Sequence, residues 1–297
     1  MSSVPYTITI DNVMFQLQEA YSFDWLKSLG RVFTVFDRQD SGNIGFGVKK
    51  GGRKYFVKFA GCKPIDFEGD PQETIDRLKQ AIPLYHELSH PALIRLVSHF
   101  PVETGYAAVF EWFDGECLHS HWSFPPPAKY EHPDSPFYRY KRLPIEKRLT
   151  SLDAIFSFHV HVESKGYVAV DFYDGSILYD FSNYATRICD IDFYRKAPSV
   201  NDMGDFWGSK RFKSPEEFTY GAPIDARTNV FTMGAIAFGL LGGELDRSFS
   251  KWEAGQALYD VAMRAVRPDR PLRYASVAEF KAAWDAARQR RGSLQQQ

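Results

Sequence analysis

From Arg31 the apolar positions fall in short blocks, RVFTVFD, IGFGVKK and RKYFVKFAG, separated by the polar turn RQDSGN and by Gly51-Gly52. Blocks of this length with glycine turns predict a three-stranded antiparallel meander. If Gly51-Gly52 is the hairpin turn, Lys58 pairs across near Gly45. From Asp70 to His90 the spacing becomes helical, with Ile75, Leu78 and Ile82 on one face. Asp70 is suited to cap that helix and Pro71 to its first position. Pro83 is expected to interrupt it. Leu93 to Phe100 and Tyr106 to Phe110 read as two more strands, and Pro144 to Lys165 as a long helix. Upstream, Val13 to Leu29 is amphipathic and predicts an extra helix, or a strand and helix, on the first part of the chain.

The stretch Tyr167 to Phe193, YVAVDFYDGSILYDFSNYATRICDIDF, breaks from this rhythm. Short apolar runs alternate with Asp174-Gly175 and Ser182-Asn183, which reads as strand, tight turn, strand. Each run ends on an aspartate, Asp171 and Asp192. Carboxylates at adjacent strand ends are suited to hold a metal ion and orient a nucleophile; two solvated loop aspartates fit the same residues.

Composition narrows the classes. At 297 residues and 44% hydrophobic, the chain is long enough to bury a large core as one bilobal unit or two small domains. A net charge of −1 supplies no basic field for nucleic acid or a membrane surface. Cys62, Cys117 and Cys189 are scattered without C-x-x-C spacing, which argues against a disulfide framework or zinc site and suits a reducing cytosol. No apolar run approaches about 18 residues, and the first residues lack a signal-peptide pattern, so a cytoplasmic location is expected.

The Tyr167 to Phe193 stretch resembles the catalytic core of protein kinases, H-R-D-x-x-x-x-N followed by D-F-G. Ala169-Val170-Asp171 stands at H-R-D, Ser176 at the asparagine, and Asp192-Phe193-Tyr194 at D-F-G. Other parts follow in the family's order. Val57-Lys58 resembles the V-A-I-K lysine, and His90-Pro91-Ala92-Leu93-Ile94 the H-P-N-I-V that follows the αC helix. Ala107 to Gly115 resembles the fifth strand and hinge, with Phe110 as gatekeeper and Glu111 and Phe113 offering backbone groups to adenine. Gly208 to Glu216 resembles the segment ending in A-P-E, Ile224 to Gly234 the αF start with Asn229 for its aspartate, and Arg273 to Phe280 the R-Y-x-S-A-x-E-F close of bacterial kinases.

The resemblance implies an α+β bilobal fold, with a small antiparallel sheet in the first lobe (31–113) and a mainly helical second lobe (114–287). Residues 1–30 would be an extension, about 119–143 an insertion and 288–297 a frayed tail. It also implies transfer of the ATP γ-phosphate to a serine or threonine hydroxyl with Mg²⁺. Lys58 would clamp the phosphates, Asp192 and Ser176 hold Mg²⁺, and Asp171 receive the hydroxyl proton. Glu216 and Arg273 would form a structural ion pair.

Departures from the pattern leave two alternatives: a pseudokinase scaffold that binds nucleotide weakly or not at all, and a small-molecule kinase. The usual αC glutamate position is Ala81, with Glu73 and Asp76 as distant substitutes. Tyr173 replaces a lysine and Val170 the H-R-D arginine. The phosphate-covering turn lies either at Gly42 to Gly47 or at Asp37 to Gly42; the second leaves Gly42 alone, with Asp37 and Asp40 facing the phosphates. The insertion, rich in Pro, His and aromatics, is either an ordered surface loop or a platform for a protein substrate or partner. With Val170 unable to hold a phosphate, Ser199, Ser209 and Ser214 are not expected to be activating phosphosites, and Phe206, Trp207 and Phe212 should hold the loop by packing.

Overall fold

The computed structural model describes residues 5–294 and is α+β, with small antiparallel sheets and, among the described residues, seven α-helices. Two compact units are present, Met1–Ser89 with Ile94–Asp114, and His90–Leu93 with Gly115–Gln297.

The first unit opens with a hairpin of β1 (Tyr6–Ile10) and β2 (Val13–Leu17). A short 3-10 turn, Asp24–Ser28, follows, so the amphipathic run from Val13 becomes a strand and a turn. A five-stranded sheet comes next: β3 (Arg31–Phe36), β4 (Asn43–Lys50), β5 (Arg53–Ala60), β6 (Leu96–Val102) and β7 (Gly105–Glu111). Its order is β3-β4-β5-β7-β6, antiparallel throughout. Gly51 and Gly52 have φ of 54° and 81°, the left-handed pair a two-residue hairpin requires. That turn fixes the register: Gly45 stands opposite Lys58. Alternation then sends Ile44, Phe46, Val48, Val57 and Phe59 to one face, where Phe15, Leu17, Phe23 and Leu26 complete the core. Each such side chain contributes roughly 1.5–3 kcal/mol on burial, so Phe15, Leu17, Phe23 and Leu26 of the expected extension are part of this unit's core.

The other face carries α1 (Pro71–Glu87). The Asp70 carboxylate accepts from the Gln72 amide at 2.9 Å, and Pro71 opens the helix. Pro83 does not interrupt it, contrary to expectation. Proline removes one helical N–H, a cost of about 3 kcal/mol. Here the proline side is exposed while Ile82, Leu84 and Tyr85 are buried, and that burial carries the helix on to Glu87.

In the second unit, β8 (Glu116–Cys117) precedes two short helices, α2 (Ala128–Glu131) and α3 (Pro136–Lys141), in the proline-rich insertion. The long helix α4 (Ile145–Ser164) leads to β9 (Tyr167–Val168), β10 (Ile177–Asp180) and β11 (Ala185–Ile188). Then come β12 (Arg195–Lys196), β13 (Ser199–Val200), β14 (Pro223–Ile224) and the helices α5 (Ala226–Leu241), α6 (Gln256–Ala265) and α7 (Val277–Leu294). Helix α5 is almost entirely apolar and buried, as the central helix of a bundle must be. Phe156 of α4 meets Phe280 and Trp284 of α7 edge-on. The tail expected to fray from 288 is helical to Leu294, and Arg288 pairs with Asp153; residues 295–297 lie outside the described residues. No helix among the described residues is long and apolar enough to cross a membrane.

Candidate functional site

Asp171 occupies a turn just past β9, and three features of the fold hold it there. Asn229 of α5 accepts from the Ala169 amide at 2.8 Å and donates to the Tyr167 carbonyl at 3.0 Å. A neutral amide makes both bonds; a carboxylate could only accept. Val168 and Val170 sink into an apolar cluster with Phe206 and Ile224. Gly208 lies so close that a Cβ on it would sit 3.3 Å from the Asp171 Cα and Oδ1. Asp171 itself has φ of 65°, a left-handed conformation that costs a non-glycine residue on the order of 1 kcal/mol or more. Strain of this kind persists where the surroundings over-determine the backbone.

Asp192 stands in the turn after β11. Asp190, at φ 57°, begins it, and the Tyr194 amide closes it on the Ile191 carbonyl at 3.0 Å. Tyr194 is buried and its hydroxyl reaches Nε2 of His159 at 3.0 Å, while Nδ1 of His159 lies 2.7 Å from the Ile155 carbonyl. A carbonyl only accepts, so Nδ1 carries the proton and Tyr194 donates to Nε2. Burial pushes the His159 imidazole down to about 3, consistent with that neutral form.

The phenols of Tyr173 and Tyr194 are both pushed up, by burial first and then by the negative charge of Asp171, with Asp190 contributing to each. His159 joins the two turns: its ring lies 4.3 Å from that of Phe172, next to Asp171, and it bonds Tyr194, two residues after Asp192. Asp192 is half-buried, whereas Ser176, in the 3-10 turn before β10, is 1% exposed. Among the described residues no group of three His, Cys, Asp or Glu side chains could hold a metal ion. Mg²⁺ does not need one: it takes one or two carboxylates and fills its shell with phosphate and water oxygens. An accessible Asp192 suits that arrangement; the enclosed Ser176 hydroxyl suits it less.

In the first unit Lys58 pairs with Gly45 and Ala108, on the sheet face that also bears Phe56 and Phe110. Phe56 packs against Phe36 and Phe110, and Trp112 against Phe33 and Phe36, forming an aromatic strip along that face. The β3–β4 connection spans 37–42, the second of the two registers considered. Gly42, at φ 80°, is wedged where a Cβ would meet Thr74 at 2.4 Å and Phe67 at 2.7 Å. Asp37 turns its carboxylate to the Gln16 amide at 3.1 Å rather than standing free toward a phosphate. The Glu111 amide donates to the Arg95 carbonyl at 2.9 Å, and Phe113 is half-buried just beyond the strand. On α1, Ala81 is buried against the sheet while Glu73 and Asp76 are exposed, and Asp76 accepts from Gln72.

Glu216 and Arg273 are brought together. Arg273 donates to both carboxylate oxygens at 2.7 and 2.9 Å, and Arg270 and Thr228 also donate to Glu216. Burial alone would raise the Glu216 carboxyl, but Arg273 overcomes it and holds it below the usual range. In the segment before it Phe206 and Phe212 are buried, while Trp207 is 51% exposed and touches only the edge of the packing, near Phe193. Arg195 pairs with Asp202 at 3.2 Å.

Sequence reasoning missed the most buried charge of the region. Asp174, wholly buried, receives Lys129 at 2.5 Å and a forked pair of bonds from Arg211 at 2.8 and 2.9 Å. Glu244 completes the cluster, 2.7 Å from Arg211 and 3.6 Å from Lys129. Burial would raise the Asp174 carboxyl; Lys129 and Arg211 hold it below the usual range. Neither cation is near Asp174 in sequence, so only the Asp-Gly turn itself was visible. A cavity of about 360 Å³ beside this cluster is lined by Tyr130, Phe137 and Tyr138 of the insertion and by Gly242 to Glu244, and by none of the expected site residues. No known family profile matches the chain, and no curated protein matches it.

Proposed function

We propose that the chain is a protein-kinase-like phosphotransferase, its two units corresponding to the small and large lobes of that fold. The observation that carries the reading is the Asp171 turn: a carboxylate on a strained backbone, braced by Asn229 and Gly208 and joined to the Asp190–Asp192 turn through His159. Two carboxylate turns held in fixed places are what in-line phosphoryl transfer asks of a protein, because catalysis there is positioning and charge stabilisation.

In this reading Asp171 accepts the proton of a serine or threonine hydroxyl as its oxygen bonds to the γ-phosphorus and the bond to the ADP oxygen breaks. Lys58 neutralises the α- and β-phosphate oxygens, and the aromatic strip of Phe36 and Phe56 offers stacking surface to a planar base, an interaction worth roughly 1–3 kcal/mol. Asp192 would hold Mg²⁺, which when bound offsets charge on the phosphates. Transfer of labelled γ-phosphate from Mg-ATP to the chain or to a protein acceptor tests the reading; labelling of a sugar or other small molecule alone would move it to the small-molecule class.

One observation favours a second reading, a nucleotide-binding scaffold without transfer. At the position where the resembling family carries its αC glutamate, the buried face of α1 presents Ala81. Mg-ATP binding without any transfer would select it.

A further inference from the structure

Asp174 follows Asp171 by three residues, opening the next 3-10 turn, and its carboxylate is the meeting point of distant segments. Lys129 reaches it from α2 of the insertion, Arg211 from the segment after Gly208, and Glu244 stands behind both from the end of α5. Lys129 is only 2% exposed on its side chain, and it also lies over the rings of Phe137 and Tyr130. Arg211 is the second anchor between two segments already in contact: three residues upstream, Gly208 touches Asp171. Two fixed points, Gly208 on Asp171 and Arg211 on Asp174, define how one segment lies across the other.

We propose that Lys129 and Arg211 are positioning residues that clamp the Gly208–Lys213 segment onto the Asp171 turn, so that the insertion, and not a phosphate on the loop, holds the site in order. Its catalytic consequence rests on the phosphotransfer reading; its structural consequence does not. The charges argue for this assignment. Two cations and two carboxylates balance within the buried cluster, and the guanidinium fork fixes direction as well as distance. Val170 leaves no arginine beside Asp171 to receive a phosphate. Ser209 is engaged by Arg211 at 3.1 Å, and Ser214 is buried in a capping box with Glu217. The insertion's lysine supplies from within the chain the fixed charge that a modification would otherwise bring.

The test is amide hydrogen exchange and Mg-ATP turnover on the full chain, comparing wild type with Lys129→Met, Arg211→Met and Arg148→Met. Arg148 forms another buried ion pair, with Glu253 at 2.6 Å, away from the turn, and reports generic loss of stability. In Lys129→Met and Arg211→Met, exchange at Ser176, Phe212 and Lys213, whose amides bond Tyr173 and Ser209 carbonyls, is expected to speed about tenfold or more. ADP formation from Mg-ATP should fall about tenfold in kcat with KM within about twofold, and Arg148→Met should move neither. Should Lys129→Met fail to fold, Lys129→Met with Asp174→Asn removes both charges and carries the same comparison. Unchanged exchange at these amides overturns the clamp. Faster exchange with unchanged kcat overturns the positioning role. Faster exchange in a chain whose wild type shows no turnover leaves the clamp standing and removes the phosphotransfer reading.

Discussion

Removing either partner of the Glu216–Arg273 pair should destabilise the second unit strongly and unequally. Arg273 is 2% exposed and spends every donor: two bonds to Glu216 and one each to the carbonyls of Arg267, Arg227 and Pro268. Breaking a buried pair costs about 3–5 kcal/mol because the remaining charge stays buried and unmatched. Arg273→Met leaves Glu216 with Arg270 and Thr228, which places it near the low end, about 3 kcal/mol. Glu216→Gln leaves Arg273 buried against a neutral amide and weakens Arg270 as well, about 4 kcal/mol. The double variant has no unmatched charge, so its cost should be about 5 kcal/mol rather than 7, a coupling of about 2 kcal/mol. Urea unfolding followed by tryptophan fluorescence measures all three. Single variants that each cost under about 1 kcal/mol and add within about 0.5 kcal/mol would refute the reasoning.

Three further outcomes follow from the same geometry. Asp171→Asn should keep Mg-ATP binding and lose phosphoryl transfer by about 10²-fold or more; equal autophosphorylation by wild type and variant would refute the assignment. His159 titrates near 6.5 when unfolded and is held down to about 3 when folded, so below pH 6.5 the unfolded chain binds a proton the native chain refuses. Stability contributed above 6.5 is therefore lost as pH falls, by about 2 kcal/mol between pH 7 and 5, and His159→Gln should reduce the loss measured by chemical denaturation over that range by about this amount, leaving the share of His119, which burial holds down to about 4. Phosphatase treatment and Ser199→Ala should each leave activity or nucleotide binding unchanged; a tenfold fall, about 1.4 kcal/mol, would show that a loop phosphate is needed.

Local signals carried most of what was legible. The Gly51-Gly52 turn was enough to put Lys58 across from Gly45, and Asp70-Pro71 marked the start of α1. The Glu216–Arg273 contact spans 57 residues and came from motif order, not from local chemistry. Pro83 misled because proline's cost is local whereas the burial of Ile82, Leu84 and Tyr85 that outweighs it is tertiary. Trp207, grouped with its aromatic neighbours, points outward for a similar reason: three aromatics close together in a loop cannot all face one core. The Asp174 cluster was hidden because its cations lie 45 and 37 residues away, and each looked like an ordinary surface charge. Asp190 was visible beside Asp192, but its left-handed backbone was not.

Melting temperature with and without millimolar Mg-ATP is the most direct measurement of the claim beneath the phosphotransfer reading, that Lys58 and Asp192 bind Mg-ATP. Ligand at about a hundred times its Kd stabilises the bound fold by about 2.7 kcal/mol. For a unit of this size that is a rise of roughly 5–10 °C. Wild type should show the rise with Mg-ATP and less with ATP alone, while Lys58→Ala and Asp192→Ala should show none. No rise in wild type, or the same rise in all three proteins, would contradict the account.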